Sequence, residues 1–335
     1  MSSEDDPRNP LARLPATVEA LTGALAARNY FADLELATAI HLALQLGRPL
    51  LLEGEAGVGK TEVAKALARL LDAPLVRLQC YEGLDLDQAA YAWNYPRQLL
   101  HIRALEADAR MTRAQTADAR TAGDGLTVTK AADDTEAGDD LLTRLDLYRG
   151  DFLLRRPLLA AIEDTRRDGA PPVLLIDELD RADEEFEAFL LELLSDFQIT
   201  IPELGTVRAQ RPPIVVLTSN RTRDVHDAVR RRCLYCWIDY PDAEKERRIV
   251  EAKVPGLAQR VSQRAVEIVQ RLRREDLFKR PGVAETLDWL RALEVLAIEE
   301  IDPEALDRTL GTLIKHRDDL ERLRDGRLAL LLGGT

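Results

Sequence analysis

Aromatic side chains are scarce: Phe, Trp and Tyr make up 5% of the 335 residues. That argues against a β-sandwich and for a helix-rich chain whose bulk is aliphatic. Cysteine is scarce too. Cys80, Cys233 and Cys236 are an odd number in a long chain, which excludes a disulfide framework and leads us to expect reduced thiols. The four histidines, His41, His101, His226 and His316, have no metal-ligand spacing. No apolar run reaches the roughly 18 residues that a membrane span needs. The first ten residues are acidic where a signal peptide would be basic and then apolar, so the expected location is cytoplasmic. Positive charge is in deficit as well: 46 Lys and Arg against 59 Asp and Glu leave a net −13. A protein that mainly neutralises nucleic-acid phosphates is thereby disfavoured, although a local basic pore remains compatible with that total.

What is present is 46% apolar residues, enough for a core, and 31% charged ones, and the length of 335 residues suggests two domains or one large domain with an appendage. Residues 1–16 read as a mobile polar tail. From 17 to 46, Val18, Leu21, Leu25, Leu36, Ile40 and Leu44 recur at helical steps, predicting two amphipathic helices around Asn29. Apolar runs follow at 50–52, 173–176, 214–217 and 234–238, the last three without polar alternation, as expected of parallel strands covered on both faces, and Leu75-Val76-Arg77-Leu78 reads as a further strand. Helical segments separate most of them. The expected class is therefore α/β, a parallel sheet flanked by helices, spanning 17–240. A β-hairpin is expected over 198–201 and 206–208. Beyond residue 241 only helical patterns remain, at 243–253, 258–273, 282–298 and 303–313, predicting a small all-α domain over 241–335. Residues 97–157 interrupt the sheet pattern as an insertion, partly disordered over about 106–140, where large apolar residues are few.

Gly54, Glu55, Ala56, Gly57, Val58, Gly59, Lys60 and Thr61 fit a P-loop, with a strand before and a helix from Glu62 after. The loop's N–H groups and the helix start can cradle phosphate. Lys60 can reach the β- and γ-phosphates, and the Thr61 hydroxyl can ligate Mg²⁺. A second apolar strand ends in Asp177 and Glu178. Asp177 can hold the Mg²⁺ of Mg–ATP through its water shell, and Glu178 can polarise the attacking water. Asn220, after the strand at 214–217, can reach the γ-phosphate or that water. Arg230, Arg231 and Arg232 close a short helix. Cations suit a helix C-terminus, but a guanidinium delivered to a neighbouring subunit's γ-phosphate would be an arginine finger and would require a ring.

In this order, the motifs resemble those of AAA+ ATPases and, more narrowly, of the MoxR branch. The passages 51–61, 177–183, 203–206 and 231–235 carry the MoxR likeness; 95–102, 151–158 and 281–289 resemble the subgroup of the carbon monoxide dehydrogenase maturation ATPase. The resemblance implies a P-loop AAA+ core followed by a helical lid, an ATPase binding ATP and Mg²⁺, and a hexameric ring. It also implies chaperone work with a von Willebrand A domain partner on a metalloenzyme client containing molybdenum. The alternatives are a nucleic-acid motor or loader of the same superfamily, and a nucleotide-dependent scaffold. By matched position Arg232 looks like the finger, with Arg231 the next candidate. The family's lid-sensing Arg has no counterpart near Gly282, Val283 and Ala284, leaving Lys279 or Arg280 as substitutes. Tyr91, Trp93, Tyr95 and His101, beside the insertion, would either pack a core, the simpler reading, or grip a client. The spacing of Cys233 and Cys236 resembles a redox motif, but in an apolar strand both read as small hydrophobes.

Overall fold

The computed structural model describes residues 15–121, 150–164, 169–325 and 327–333. Two helices come first, α1 (Val18–Ala26) and α2 (Leu34–Leu46), capped by Thr17 and Asp33. Asn29, between them, takes a left-handed φ of 58°, as expected for a short polar turn residue. Strand β1 (Leu50–Glu53) leads into α3 (Lys60–Leu71), then β2 (Leu75–Gln79), a single turn α4 (Leu86–Ala89), β3 (Tyr91–Trp93) and the long α5 (Tyr95–Thr121). After β4 (Leu153–Arg155) come α6 (Pro157–Ile162), β5 (Val173–Asp177), α7 (Glu184–Asp196), and a hairpin of β6 (Gln198–Ile201) and β7 (Gly205–Arg208). Strand β8 (Ile214–Ser219), the short α8 (Asp227–Arg230) and β9 (Leu234–Trp237) complete this part.

Five strands form one parallel sheet in the order β2-β5-β8-β1-β9. Neighbouring residues of the three inner strands, β1, β5 and β8, alternate between two cores, which is why these strands read as continuous apolar runs. Leu51, Leu174, Ile176 and Leu217 face a core completed by α6 and α7. Leu50, Leu52, Leu175 and Val216 face a second core completed by α1, α2 and α3. The parallel sheet flanked by helices is thus as read from the sequence.

The antiparallel pair of β3 and β4, with Tyr91 opposite Arg155 and Trp93 opposite Leu153, was not foreseen. Each strand has three residues, too few to show a period, and the partners lie about 60 residues apart. The pair closes the base of the insertion. Residues 106–121, read as the start of a partly disordered stretch, continue α5; the rest of that stretch, and the tail up to residue 14, lie outside the described residues. Tyr91 and Trp93 pack on the first core. Tyr95 is exposed, and His101 leans on Phe152 with ring centroids 5.3 Å apart.

Beyond β9 the described chain is helical: α9 (Ala243–Lys253), α10 (Gln259–Leu272), α11 (Val283–Val295), α12 (Pro303–Leu313), α13 (Arg317–Arg324) and α14 (Leu328–Leu331). These helices share a third core around Trp289, which is fully buried and donates its indole N–H to Thr309 Oγ1 at 2.8 Å. A buried ion pair ties the first three together. Arg273 grips Glu246 with two bonds of 2.7 Å and donates to the Pro281 carbonyl at 2.8 Å. That carbonyl precedes the turn into α11, whose Val283 N–H donates to Gly57 O at 2.9 Å. The helical region therefore touches the glycine-rich loop directly. Among the described residues, no helix is long and apolar enough to cross a membrane.

Candidate nucleotide site

Strands β1, β8 and β5 lie side by side and parallel, so their carboxyl ends bring 54–61, Thr218 to Asn220, and Asp177 with Glu178 to one edge. Ligands of open α/β sheets bind at that edge. Gly54 is required there. A Cβ on it would meet the Ile238 carbonyl oxygen at 2.1 Å, and its φ is +156°. At the start of α3 no side chain caps the free N–H groups, which makes the helix end available to an anion.

A cleft of about 440 Å³ opens in front of this edge, lined by Ala56, Gly57, Gly59, Lys60, Thr61, Glu62, Asp177, Glu178 and Asn220. Its size suits a nucleotide. Lys60 is buried and folds back, donating to Gly54 O and Glu55 O at 2.7 Å each. Burial lowers the pKa of its ammonium, opposed by the charges of Asp180, Glu55, Asp177 and Glu178. A phosphate would give those N–H donors charged acceptors in place of carbonyls.

Asp177 is buried and fully engaged. Its Oδ1 accepts from Thr61 Oγ1 at 3.0 Å and Thr218 Oγ1 at 2.6 Å; its Oδ2 accepts from Arg77 Nε at 3.1 Å and Nη2 at 2.6 Å. Glu178 has a left-handed φ of 55°, and its N–H donates to Thr218 Oγ1 at 2.9 Å. Such a conformation in a non-glycine residue costs on the order of 1–3 kcal/mol and concentrates at functional sites. The Glu178 carboxylate pairs with Arg181 at 3.0 Å. Asn220 is positioned from below: Asp180 accepts from Asn220 N at 3.1 Å and from Thr222 N at 2.9 Å.

The hard oxygens of Thr61 and Asp177 are the donor type that Mg²⁺ takes, and they touch one another across the cleft. Among the described residues there is no cluster of three or more His, Cys, Asp or Glu side chains able to hold a metal unaided. A metal bound here would thus need ligands from elsewhere, as when it arrives with phosphates.

The structure separates the three arginines. Arg230 is tied to Glu53 at 2.8 Å, and Arg232 donates to Ser195 Oγ and, at 2.9 Å, to Ala228 O. The Arg231 side chain is 81% exposed, beside Asp227 at 3.4 Å. None of the three lines the cleft. Lys279 and Arg280 do not line it either; they border a separate cleft of about 210 Å³ with Glu55, Ala56 and Tyr240. Instead the helical region offers Lys253, Val283, Leu287, Asp288 and Arg291 to the nucleotide cleft. Arg77, Lys253 and Arg291 were missed by sequence reasoning. Arg291 lies two helical turns beyond the position where a lid cation was sought, and Arg77 is a single charge inside an apolar strand.

Residues 49–233, more than half of the chain, match the AAA domain of the dynein-related subfamily. The chain belongs to the AAA family. Two solved structures resemble this AAA chain: a mutant of Thermotoga maritima RuvB (16% identity, 97% of this chain and 86% of that one, TM-score 0.43), and the Thermotoga maritima RuvB Holliday junction branch migration motor (15%, 96% and 86%, 0.42). No curated protein matches it.

Proposed function

We propose that this AAA protein binds and hydrolyses ATP with Mg²⁺ and uses the cycle, as a hexameric ring of MoxR type, to remodel a partner complex. The observation that carries the ATPase reading is the single cleft in which Lys60, Thr61, Asp177, Glu178 and Asn220 converge beside an uncapped helix start. In it, the N–H groups of Gly57, Val58 and Gly59 cradle the phosphates, with Glu55, Ala56 and Glu62 flanking them. Lys60 leaves the loop carbonyls for the β- and γ-phosphate oxygens. Thr61 and Asp177 would hold Mg²⁺, which would supply positive charge against the developing phosphate charge. Glu178 turns from Arg181 to take a proton from the attacking water, and Asn220 orients that water. Arg231 or Arg232, set outside its own cleft, stabilises the transition-state charge of a neighbouring subunit. Arg231 is the freer of the two.

The MoxR-like passages support the finer reading: a molybdenum-containing client such as carbon monoxide dehydrogenase, and a von Willebrand A domain partner. Capture of partners on the Glu178→Gln protein with ATP, followed by mass spectrometry, tests it. Recovery of such a pair is the expected result. Recovery of replication proteins instead would replace it with the nucleic-acid motor reading.

A further inference from the structure

Asp177 is a buried carboxylate on the floor of the cleft, and burying an unpaired charge carries a large penalty. Lys60 does not bond it; its ammonium donates to the loop carbonyls of Gly54 and Glu55. The cation that does is Arg77, two residues before Gln79, which stands opposite Asp177 in the β2–β5 register. A step of two keeps Arg77 and Asp177 on one face of the sheet. The division of the carboxylate is clean: the guanidinium takes Oδ2 twice, while the hydroxyls of Thr61 and Thr218 take Oδ1. Arg77 lies on the sheet's edge strand, and half of its side chain is exposed. Its charged end can therefore leave Asp177 for water without disturbing the core.

We propose that Arg77 is the resident counter-cation of Asp177 in the nucleotide-free site and competes there with the incoming divalent cation. The proposal rests on the reading of Asp177 as the carboxylate that faces Mg²⁺. In the empty state Arg77 supplies the positive charge that the buried carboxylate needs and fixes its rotamer. When Mg²⁺ enters with nucleotide, the same carboxylate faces two cations, which repel, and the pairing with Arg77 weakens. Arg77 is thus a positioning residue that sets the Mg²⁺ concentration at which the site closes on its ligand. Without it, the empty state loses its compensation and the loaded state loses a repulsion, so both effects favour the metal.

The test is a Mg²⁺ titration of the full chain with a fluorescent, non-hydrolysable ATP analogue, read as bound fluorescence rather than turnover. Two unit charges about 4 Å apart change an equilibrium constant roughly fivefold at the dielectric of water and by more in a part-buried site. For a half-exposed guanidinium the lower end of that range applies. Arg77→Met is expected to lower the Mg²⁺ concentration at half-effect about fivefold or more, and to change it less than about twofold in an Asp177→Asn background. If Arg77→Met does not fold, Arg77→Gln, which keeps donors without the charge, is read in its place with the same expected fall. An unchanged or raised Mg²⁺ requirement overturns the proposal. If Asp177→Asn itself leaves the Mg²⁺ requirement unchanged, the reading of Asp177 as a metal-facing carboxylate is what fails.

Discussion

Gly282 meets the P-loop backbone to backbone, and adding one methyl group there separates local strain from steric pressure. Its φ of −82° and ψ of −177° suit alanine, so Gly282→Ala introduces no backbone strain of its own. The new Cβ would stand 2.8 Å from Gly57 Cα and 2.9 Å from both Ala56 O and Glu285 Oε2, against an ordinary contact of 3.4–4 Å. The Glu285 carboxylate can swing aside; the two P-loop backbone atoms cannot. Relief requires a displacement of about 0.6 Å in a close-packed region, and overpacking of this kind costs about 1–3 kcal/mol. Whichever side yields, the cleft is altered. Movement of 56–57 distorts the phosphate cradle, whereas movement of the turn breaks the bond from Val283 N to Gly57 O and withdraws Val283 from the lining. Nucleotide affinity should therefore fall roughly five- to hundredfold, measured with a fluorescent ATP analogue. Gly311→Ala is the control. Gly311 is exposed on α12 with nothing within 4 Å of its Cβ position, so alanine should raise stability by about 0.5–1 kcal/mol and leave affinity alone. Wild-type affinity in Gly282→Ala would refute the argument.

Two further predictions concern buried groups. The Asp180 carboxyl is pushed up by burial, but hydrogen bonds from the Thr222 hydroxyl and from the Thr222 and Asn220 N–H groups outweigh this and hold it below the usual carboxylate range. A lowered native pKa means that its contribution is complete above the unfolded value of about 3.9 and is lost as pH falls through the native one. In urea unfolding, the stability deficit of Asp180→Asn should therefore be constant above about pH 5 and shrink below about pH 4; a deficit that grows on acidification contradicts this. Burial raises the thiols of Cys80 and Cys233 to about 12 and that of Cys236 to about 11. Iodoacetamide at pH 8 should label none of them in the native protein and all three in urea; native labelling of Cys233 or Cys236 would reopen the redox reading.

Local features of the chain were legible because their causes are local. The inner strands showed as unbroken apolar runs because they are covered on both faces by the two cores that Leu50 and Leu51 enter from opposite sides. The P-loop showed because its glycines, Lys60 and Thr61 act from consecutive positions. What escaped depends on register and packing. Arg77 meets Asp177 only because β2 and β5 pair with Gln79 opposite Asp177. Arg291 and Lys253 reach the cleft only because the buried Arg273–Glu246 pair holds the turn before α11 against Gly57. The β3–β4 pair joins segments about 60 residues apart, β4 lying within the insertion itself. The arginine triplet was visible as charge, but only side-chain placement distinguishes Arg230, engaged by Glu53, from exposed Arg231.

On the proposed mechanism Asp177 and Glu178 divide the work, one facing the metal and the other the attacking water. ATP binding and ATP turnover, measured side by side in Glu178→Gln, separate the two roles. Glutamine preserves the shape and removes the proton acceptor, so affinity should stay within about threefold of wild type while turnover falls by at least about a hundredfold. Turnover near the wild-type rate, or loss of binding, would contradict the assignment.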